Sequence, residues 1–108
     1  MPAGYTLIQG TSGNDALVGT SGNDLIRGFG GDDRISGQSG DDIICGGDGA
    51  DQLAGGAGAD RIAGGAGADS MAGGDGNDVI TGNADFDRAS GDSGTDSCRA
   101  EQEAACEI

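Results

Sequence analysis

GGDGADQLAGGAGADRIAGGAGADSMAGGDGNDVIT, residues 46–81, is four nine-residue units laid end to end: GGDGADQLA (Gly46–Ala54), GGAGADRIA (Gly55–Ala63), GGAGADSMA (Gly64–Ala72) and GGDGNDVIT (Gly73–Thr81). The same frame extends outward in both directions, from Gly10 to Arg99, as ten units without insertion or deletion. The first position is Gly in all ten, and the fourth is Gly in nine, with Asp85 the exception. The sixth is Asp throughout: Asp15, Asp24, Asp33, Asp42, Asp51, Asp60, Asp69, Asp78, Asp87 and Asp96. The eighth is always apolar: Leu17, Ile26, Ile35, Ile44, Leu53, Ile62, Met71, Ile80, Ala89 and Cys98. A period this strict predicts a solenoid in which each unit buries its one apolar residue against its neighbours.

The unit reads as a turn followed by a strand. Positions one to six are Gly-rich and close on Asp, which is turn chemistry. Positions seven to nine form a short strand, in which alternation puts the eighth side chain on one face and the seventh and ninth on the other. The arginines agree: Arg34, Arg61 and Arg88 fall at position seven, Arg27 and Arg99 at nine, and none at eight. Two units make one coil, so odd and even units build two parallel sheets with the eighth positions meeting between them. The expected fold is all-β, a right-handed parallel β-roll solenoid of two short-strand sheets and about five coils, about 24 Å tall at ~4.8 Å per rung.

Composition narrows the function. The chain has 108 residues, 19 of them acidic, with five basic residues, all Arg, and a formal net charge of −14. Such a balance argues against nucleic acid and anionic membranes as partners. No apolar run approaches the ~18 residues of a membrane span. The start, MPAGYTLIQ, lacks a basic n-region and an apolar h-region, so no signal peptide is expected. There is no His, and no Ser or Cys stands beside a base, so no catalytic site is visible and the expectation is a non-enzyme. An EF-hand lacks its Glu at the twelfth loop position, and a phosphate loop lacks its Lys and its following helix.

One apolar side chain per nine residues is too little to order a chain so rich in Gly. Ten aspartates stacked in register would also repel one another. A hard divalent cation would supply binding energy and cancel charge together. The ordinary alternative, an Asp that caps the backbone of its own turn, explains Asp in turns but not ten of ten at one position.

GGDGADQLA and its neighbours match the pattern GGxGxDxUx and so resemble the RTX, or hemolysin-type, calcium-binding repeat over 90 of the 108 residues. The resemblance implies the parallel β-roll and up to eight Ca²⁺ ions, each between two stacked turns. The earlier turn would give the carbonyls of positions two and four and its Asp. The later turn would give the carbonyls of positions one and three and its Asp. Carried onto this chain, the sets are Thr11, Gly13 and Asp15 with Gly28, Gly30 and Asp33; Thr20, Gly22 and Asp24 with Gly37, Ser39 and Asp42; and Phe29, Gly31 and Asp33 with Gly46, Asp48 and Asp51. Next come Gln38, Gly40 and Asp42 with Gly55, Ala57 and Asp60; Gly47, Gly49 and Asp51 with Gly64, Ala66 and Asp69; and Gly56, Gly58 and Asp60 with Gly73, Asp75 and Asp78. The last two are Gly65, Gly67 and Asp69 with Gly82, Ala84 and Asp87, and Gly74, Gly76 and Asp78 with Gly91, Ser93 and Asp96. Eight divalent ions would bring about +16 against −14. Six oxygens suit a hard cation. Side-chain oxygens of Asp48 and Asp75 could add to the set or face solvent.

Departures from the pattern carry expectations of their own. Position two is Thr11, Thr20, Phe29 and Gln38 in the first four units, where a side chain restricts the backbone, so the earliest sites should be weaker or distorted. The ninth turn serves only as a later partner, which frees Asp85 from the Gly requirement. Residues 1–9 are expected to form a cap strand through TLIQ, with Ile8 at an eighth position and Tyr5 over the core end, and residues 100–108 a C-terminal cap. A Cys98–Cys106 disulfide is expected to pin that tail, while Cys45, about 14 Å from the tenth unit, should be free or paired with another chain.

Three function classes follow. The leading one, implied by the resemblance, is an extracellular, secretion-associated calcium module, disordered without calcium and folded with it, at a Kd of about 10⁻⁴ to 10⁻³ M. The second is the C-terminal fragment of a secreted RTX enzyme or toxin. The third, an adhesin or ice-binding roll, would need a regular Thr/Asx row, but GTSGND occurs only at Gly10 and Gly19. The protein partner is left open.

Overall fold

The computed structural model describes residues 5–81 in full, together with the strand backbones of residues 88–90 and 97–99. Its strands are β1 (Thr6–Gln9), β2 (Ala16–Val18), β3 (Asp24–Arg27), β4 (Arg34–Ser36), β5 (Ile43–Cys45), β6 (Gln52–Ala54), β7 (Arg61–Ala63), β8 (Ser70–Ala72), β9 (Val79–Thr81), β10 (Arg88–Ser90) and β11 (Ser97–Arg99). Each pairs in parallel with the strand two places on. The odd strands form a six-stranded sheet in the order β1-β3-β5-β7-β9-β11, and the even strands a five-stranded sheet, β10-β8-β6-β4-β2. The chain is therefore a two-sheet parallel β-solenoid, as the nine-residue period implies.

Register follows the repeat without slippage. Ile26 pairs with Ile44 and Ile62 with Ile80 in one sheet; Ile35 pairs with Leu53 and Leu53 with Met71 in the other. The core is the row of eighth positions: Ile26, Ile35, Ile44, Leu53, Ile62, Met71 and Ile80 are buried, with Ile8 and Leu17 packed partly against them. Arg27, Arg34 and Arg61 are exposed, which the alternation requires. TLIQ forms β1, whose Ile8 lies opposite Ile26. Tyr5 is half-buried.

Backbone bonds carry the ladder from strand into turn. The Gly28 N–H donates to the Cys45 carbonyl at 2.8 Å, and the Arg34 N–H to the Asp15 carbonyl at 2.9 Å. Both bonds repeat with the period, so each turn is seated directly on the turn two units before it. Cys45 is half-buried and forms no disulfide. The expected Cys98–Cys106 bridge, the tail 100–108 and the ninth- and tenth-turn residues Gly82, Ala84, Asp87, Gly91, Ser93 and Asp96 lie outside the described residues. Among the described residues no helix is long and apolar enough to cross a membrane.

Candidate metal centre

The sixth-position aspartates point into the solenoid. Asp24, Asp33, Asp42, Asp51, Asp60, Asp69 and Asp78 are each at most 3 % exposed. Their first oxygen has a fixed use. Oδ1 of Asp33 accepts the backbone N–H of Asp15 at 2.8 Å, and Asp42, Asp51, Asp60, Asp69 and Asp78 accept in the same way from the aspartate eighteen residues earlier. Two edge ladders result, one along the odd turns and one along the even.

The second oxygen is the anomaly. Oδ2 of Asp33, Asp42, Asp51 and Asp60 is buried and meets no hydrogen-bond donor. A buried carboxylate oxygen left bare is costly, and in a native fold it calls for a partner. Its surroundings show what kind. A Cβ placed on Gly46 would lie 2.6 Å from Asp51 Oδ2 and 2.9 Å from the Gly64 carbonyl oxygen. The first glycine of each of the first six turns thus leaves a pocket of space where its own aspartate and the next rung's carbonyl converge.

Positive φ brings further oxygens to the same gap. In turns three to eight, positions two and four are left-handed, as at Gly47 (φ 86°) and Gly49 (φ 99°). Only Gly does this without steric cost. The conformation aims the Gly47 and Gly49 carbonyls at Gly65 and Gly67 of the next rung, so closely that a Cβ on Gly65 would meet Gly47 O at 2.5 Å. The gap between turns Gly46–Asp51 and Gly64–Asp69 is therefore bounded by three main-chain oxygens and Asp51 Oδ2. All are oxygen acceptors, and Asp51 Oδ2 meets no hydrogen-bond donor. That is the donor set of a hard cation. Among the described residues no three His, Cys, Asp or Glu side chains group as a metal site. An ion here would be held largely by backbone carbonyls.

The electrostatics press the same way. Burial, reinforced by repulsion from neighbouring aspartates, pushes the Asp42 carboxyl up to about 6, against the stabilising N–H of Asp24. Asp51 is likewise pushed up to about 6 and Asp60 to about 7, burial again being the largest cause. These groups resist ionising unless a positive charge joins them.

A family model for the RTX calcium-binding nonapeptide repeat (4 copies) matches residues 9–44, 46–80 and 72–102. The chain belongs to this family. The RTX repeat is a structural calcium-binding module, and its calcium chemistry fits the buried aspartate series described above. No curated protein and no solved structure is a significant match to the chain.

Within this RTX chain the turns are not all alike. Turns three to eight share one backbone, with Phe29 (φ 69°) and Gln38 (φ 74°) in the left-handed region at position two where the later four turns have Gly. The Arg27 guanidinium stacks on the Phe29 ring at 4.9 Å, which helps hold that residue in place. Asp48 and Asp75 are exposed. The Asp48 N–H donates to the Phe29 carbonyl and the Ala57 N–H to the Gln38 carbonyl, both at 2.9 Å, leaving each carbonyl its second lone pair.

Two features escaped the sequence reading. Position five carries a second, exposed ladder: Asn14 and Asn23 accept the N–H groups of Asp32 and Asp41, which in turn accept those of Ala50 and Ala59. The signal was the Asn/Asp at position five of the first four units. In the first two turns, moreover, Thr11 and Thr20 bind the aspartates of their own turns.

Proposed function

We propose that this chain is a calcium-dependent folding module in which ions lie between stacked turns. The clearest gaps join Phe29, Gly31 and Asp33 to Gly46, Asp48 and Asp51; Gln38, Gly40 and Asp42 to Gly55, Ala57 and Asp60; Gly47, Gly49 and Asp51 to Gly64, Ala66 and Asp69; and Gly56, Gly58 and Asp60 to Gly73, Asp75 and Asp78. The named atoms are the first two residues' carbonyls and the Asp side chain in every case. The observation that carries this reading is the row of bare, buried Oδ2 atoms on Asp33, Asp42, Asp51 and Asp60. Calcium would supply the charge that these residues lack, and the residues position it, exclude water and link rung to rung.

No such pocket exists in an extended chain, so binding energy becomes folding energy. The module would then stay unfolded at the low calcium of a cytoplasm and fold after export, acting as a structural, extracellular part without catalysis of its own. Residues 1–9 and 100–108 serve as its caps.

Circular dichroism during a calcium titration tests the reading. The expected result is a disordered chain in chelator that gains β-structure cooperatively with calcium and barely with magnesium, which dehydrates reluctantly. A chain equally folded in chelator and in calcium overturns it.

A further inference from the structure

The two GTSGND turns, Gly10–Asp15 and Gly19–Asp24, share the repeat's sequence frame but not its turn structure. Asp15 Oδ2 accepts the Thr11 N–H at 2.6 Å, and the Thr11 hydroxyl lies 3.1 Å from both carboxylate oxygens. Asp24 Oδ2 accepts the Thr20 N–H at 2.7 Å, and its Oδ1 accepts the Thr20 hydroxyl at 2.8 Å. Each hydroxyl oxygen in turn accepts the N–H of the fourth-position glycine, Gly13 or Gly22, at 3.1 Å. Thr at position two therefore closes the turn on itself, and the Oδ2 atoms of Asp15 and Asp24 have donors where those of Asp33, Asp42, Asp51 and Asp60 do not.

The backbone differs to match. Thr11, Gly13, Thr20 and Gly22 are absent from the left-handed region that positions two and four occupy in each of the six following turns. The Gly13 carbonyl consequently meets the next rung differently. A Cβ on Gly31 would lie 2.5 Å from both C and O of Gly13, so that carbonyl lies side-on, whereas the Gly47 carbonyl approaches Gly65 oxygen first. Below Asp24 stands Thr6, whose N–H already donates to the Asn23 carbonyl at 2.9 Å. Asp24 Oδ1 thus lacks the N–H from the rung below that later aspartates receive, and the Thr20 hydroxyl replaces it.

We propose that the GTSGND turns are a metal-independent first coil, in which Thr11 and Thr20 take the place of calcium, and that the ion ladder begins at the gaps above Gly28–Asp33 and Gly37–Asp42. This rests on the calcium reading above. The gaps from Thr11, Gly13 and Asp15 and from Thr20, Gly22 and Asp24 to the next rung hold no ion, because each earlier Oδ2 already accepts a hydrogen bond from its own turn and positions two and four lack the left-handed backbone of the later turns. Thr11 and Thr20 are positioning residues that seat a finished coil for the calcium-bearing coils to stack on.

Counting bound calcium on the full chain, by equilibrium dialysis and native mass spectrometry, tests this. The double variant Asp15→Asn/Asp24→Asn is expected to bind as many ions as the parent, whereas Asp51→Asn/Asp60→Asn loses two to four. Thr11→Gly/Thr20→Gly, which restores the glycine turn, is expected to gain up to two ions, while circular dichroism in calcium shows the roll retained. Loss of ions from Asp15→Asn/Asp24→Asn comparable to that from Asp51→Asn/Asp60→Asn overturns the inference and leaves the calcium reading standing. No loss from Asp51→Asn/Asp60→Asn overturns both.

Discussion

The backbone N–H of Asp33 donates to Oδ1 of Asp51, eighteen residues further along the chain, at 2.8 Å. One aspartate therefore has two tasks in this roll. Its Oδ1 locks the rung before it, and its Oδ2 is left for a cation. A turn Asp that only capped its own backbone would need no such stacking, and a ligand that only bound metal would leave the N–H of the rung below unpaired.

Asp51→Asn separates the two tasks. The amide keeps an oxygen for the Asp33 N–H and removes a buried charge. In calcium-free buffer the variant is expected to be at least as ordered as the parent. In calcium it is expected to need roughly 10- to 150-fold more ion to fold, since a charge-assisted contact contributes about 1.5–3 kcal/mol. Circular dichroism titrations of both proteins check this, and an unchanged calcium midpoint contradicts it.

Acidity should trade places with calcium. The carboxyls of Asp42 and Asp51 are pushed up to about 6, and that of Asp60 to about 7, from an ordinary 3.8. A raised folded-state value means the metal-free roll binds more protons than the unfolded chain. Its stability from these groups is full below 3.8 and is lost as pH rises through about 6 to 7. Calcium needs the ionised form, so its affinity moves the opposite way. Without calcium, β-structure is expected at pH 4 and not at pH 8. With calcium, the folding midpoint is expected to rise as pH falls from 7.5 to 5.5.

Phe29 and Gln38 sit at φ 69° and 74°, where a side chain costs about 1–2 kcal/mol. Glycine would relieve that strain but lose about 0.5–1 kcal/mol to its greater unfolded freedom. Gln38→Gly is therefore expected to stabilise the calcium-loaded roll by up to about 1.5 kcal/mol. Phe29→Gly should gain less, because it also loses the stack on Arg27. Thermal melts in calcium, with Arg27→Ala as the control that lowers the parent but not Phe29→Gly, decide the point.

How far the sequence reached can be judged from these same residues. The core row from Ile26 to Ile80, the exposed arginines and the TLIQ strand all follow from one period and one alternation rule, and each is local to a unit. The Oδ1 ladder is not local, because it joins atoms eighteen residues apart and depends on which rotamer the stacked turn allows. The Arg27–Phe29 stack joins residues only two apart, but it depends on the left-handed backbone of Phe29, which no local preference of Phe would suggest. The threonine turns were visible as GTSGND twice over. Their spacing of four residues from Thr to Asp held the meaning, yet as a surface pattern they merely lapsed after Gly19.

The position-five ladder gives a prediction at one amide. Asp32 Oδ1 accepts the Ala50 N–H at 2.8 Å, and the Asp32 N–H donates to Asn14 Oδ1 at 2.7 Å. Asn keeps that single acceptor oxygen, and because the site is exposed, water screens most of what the charge adds. Asp32→Asn is expected to leave stability unchanged or slightly improved by lowering the net negative charge. Asp32→Ala leaves the Ala50 N–H without its partner and should cost about 0.5–1.5 kcal/mol. Hydrogen exchange in calcium reads the bond directly: the Ala50 amide loses protection in Asp32→Ala and keeps it in Asp32→Asn, while Ala59, held by Asp41, keeps its protection in both. Equal protection at Ala50 in all three proteins would show that this outer ladder does not hold the turns.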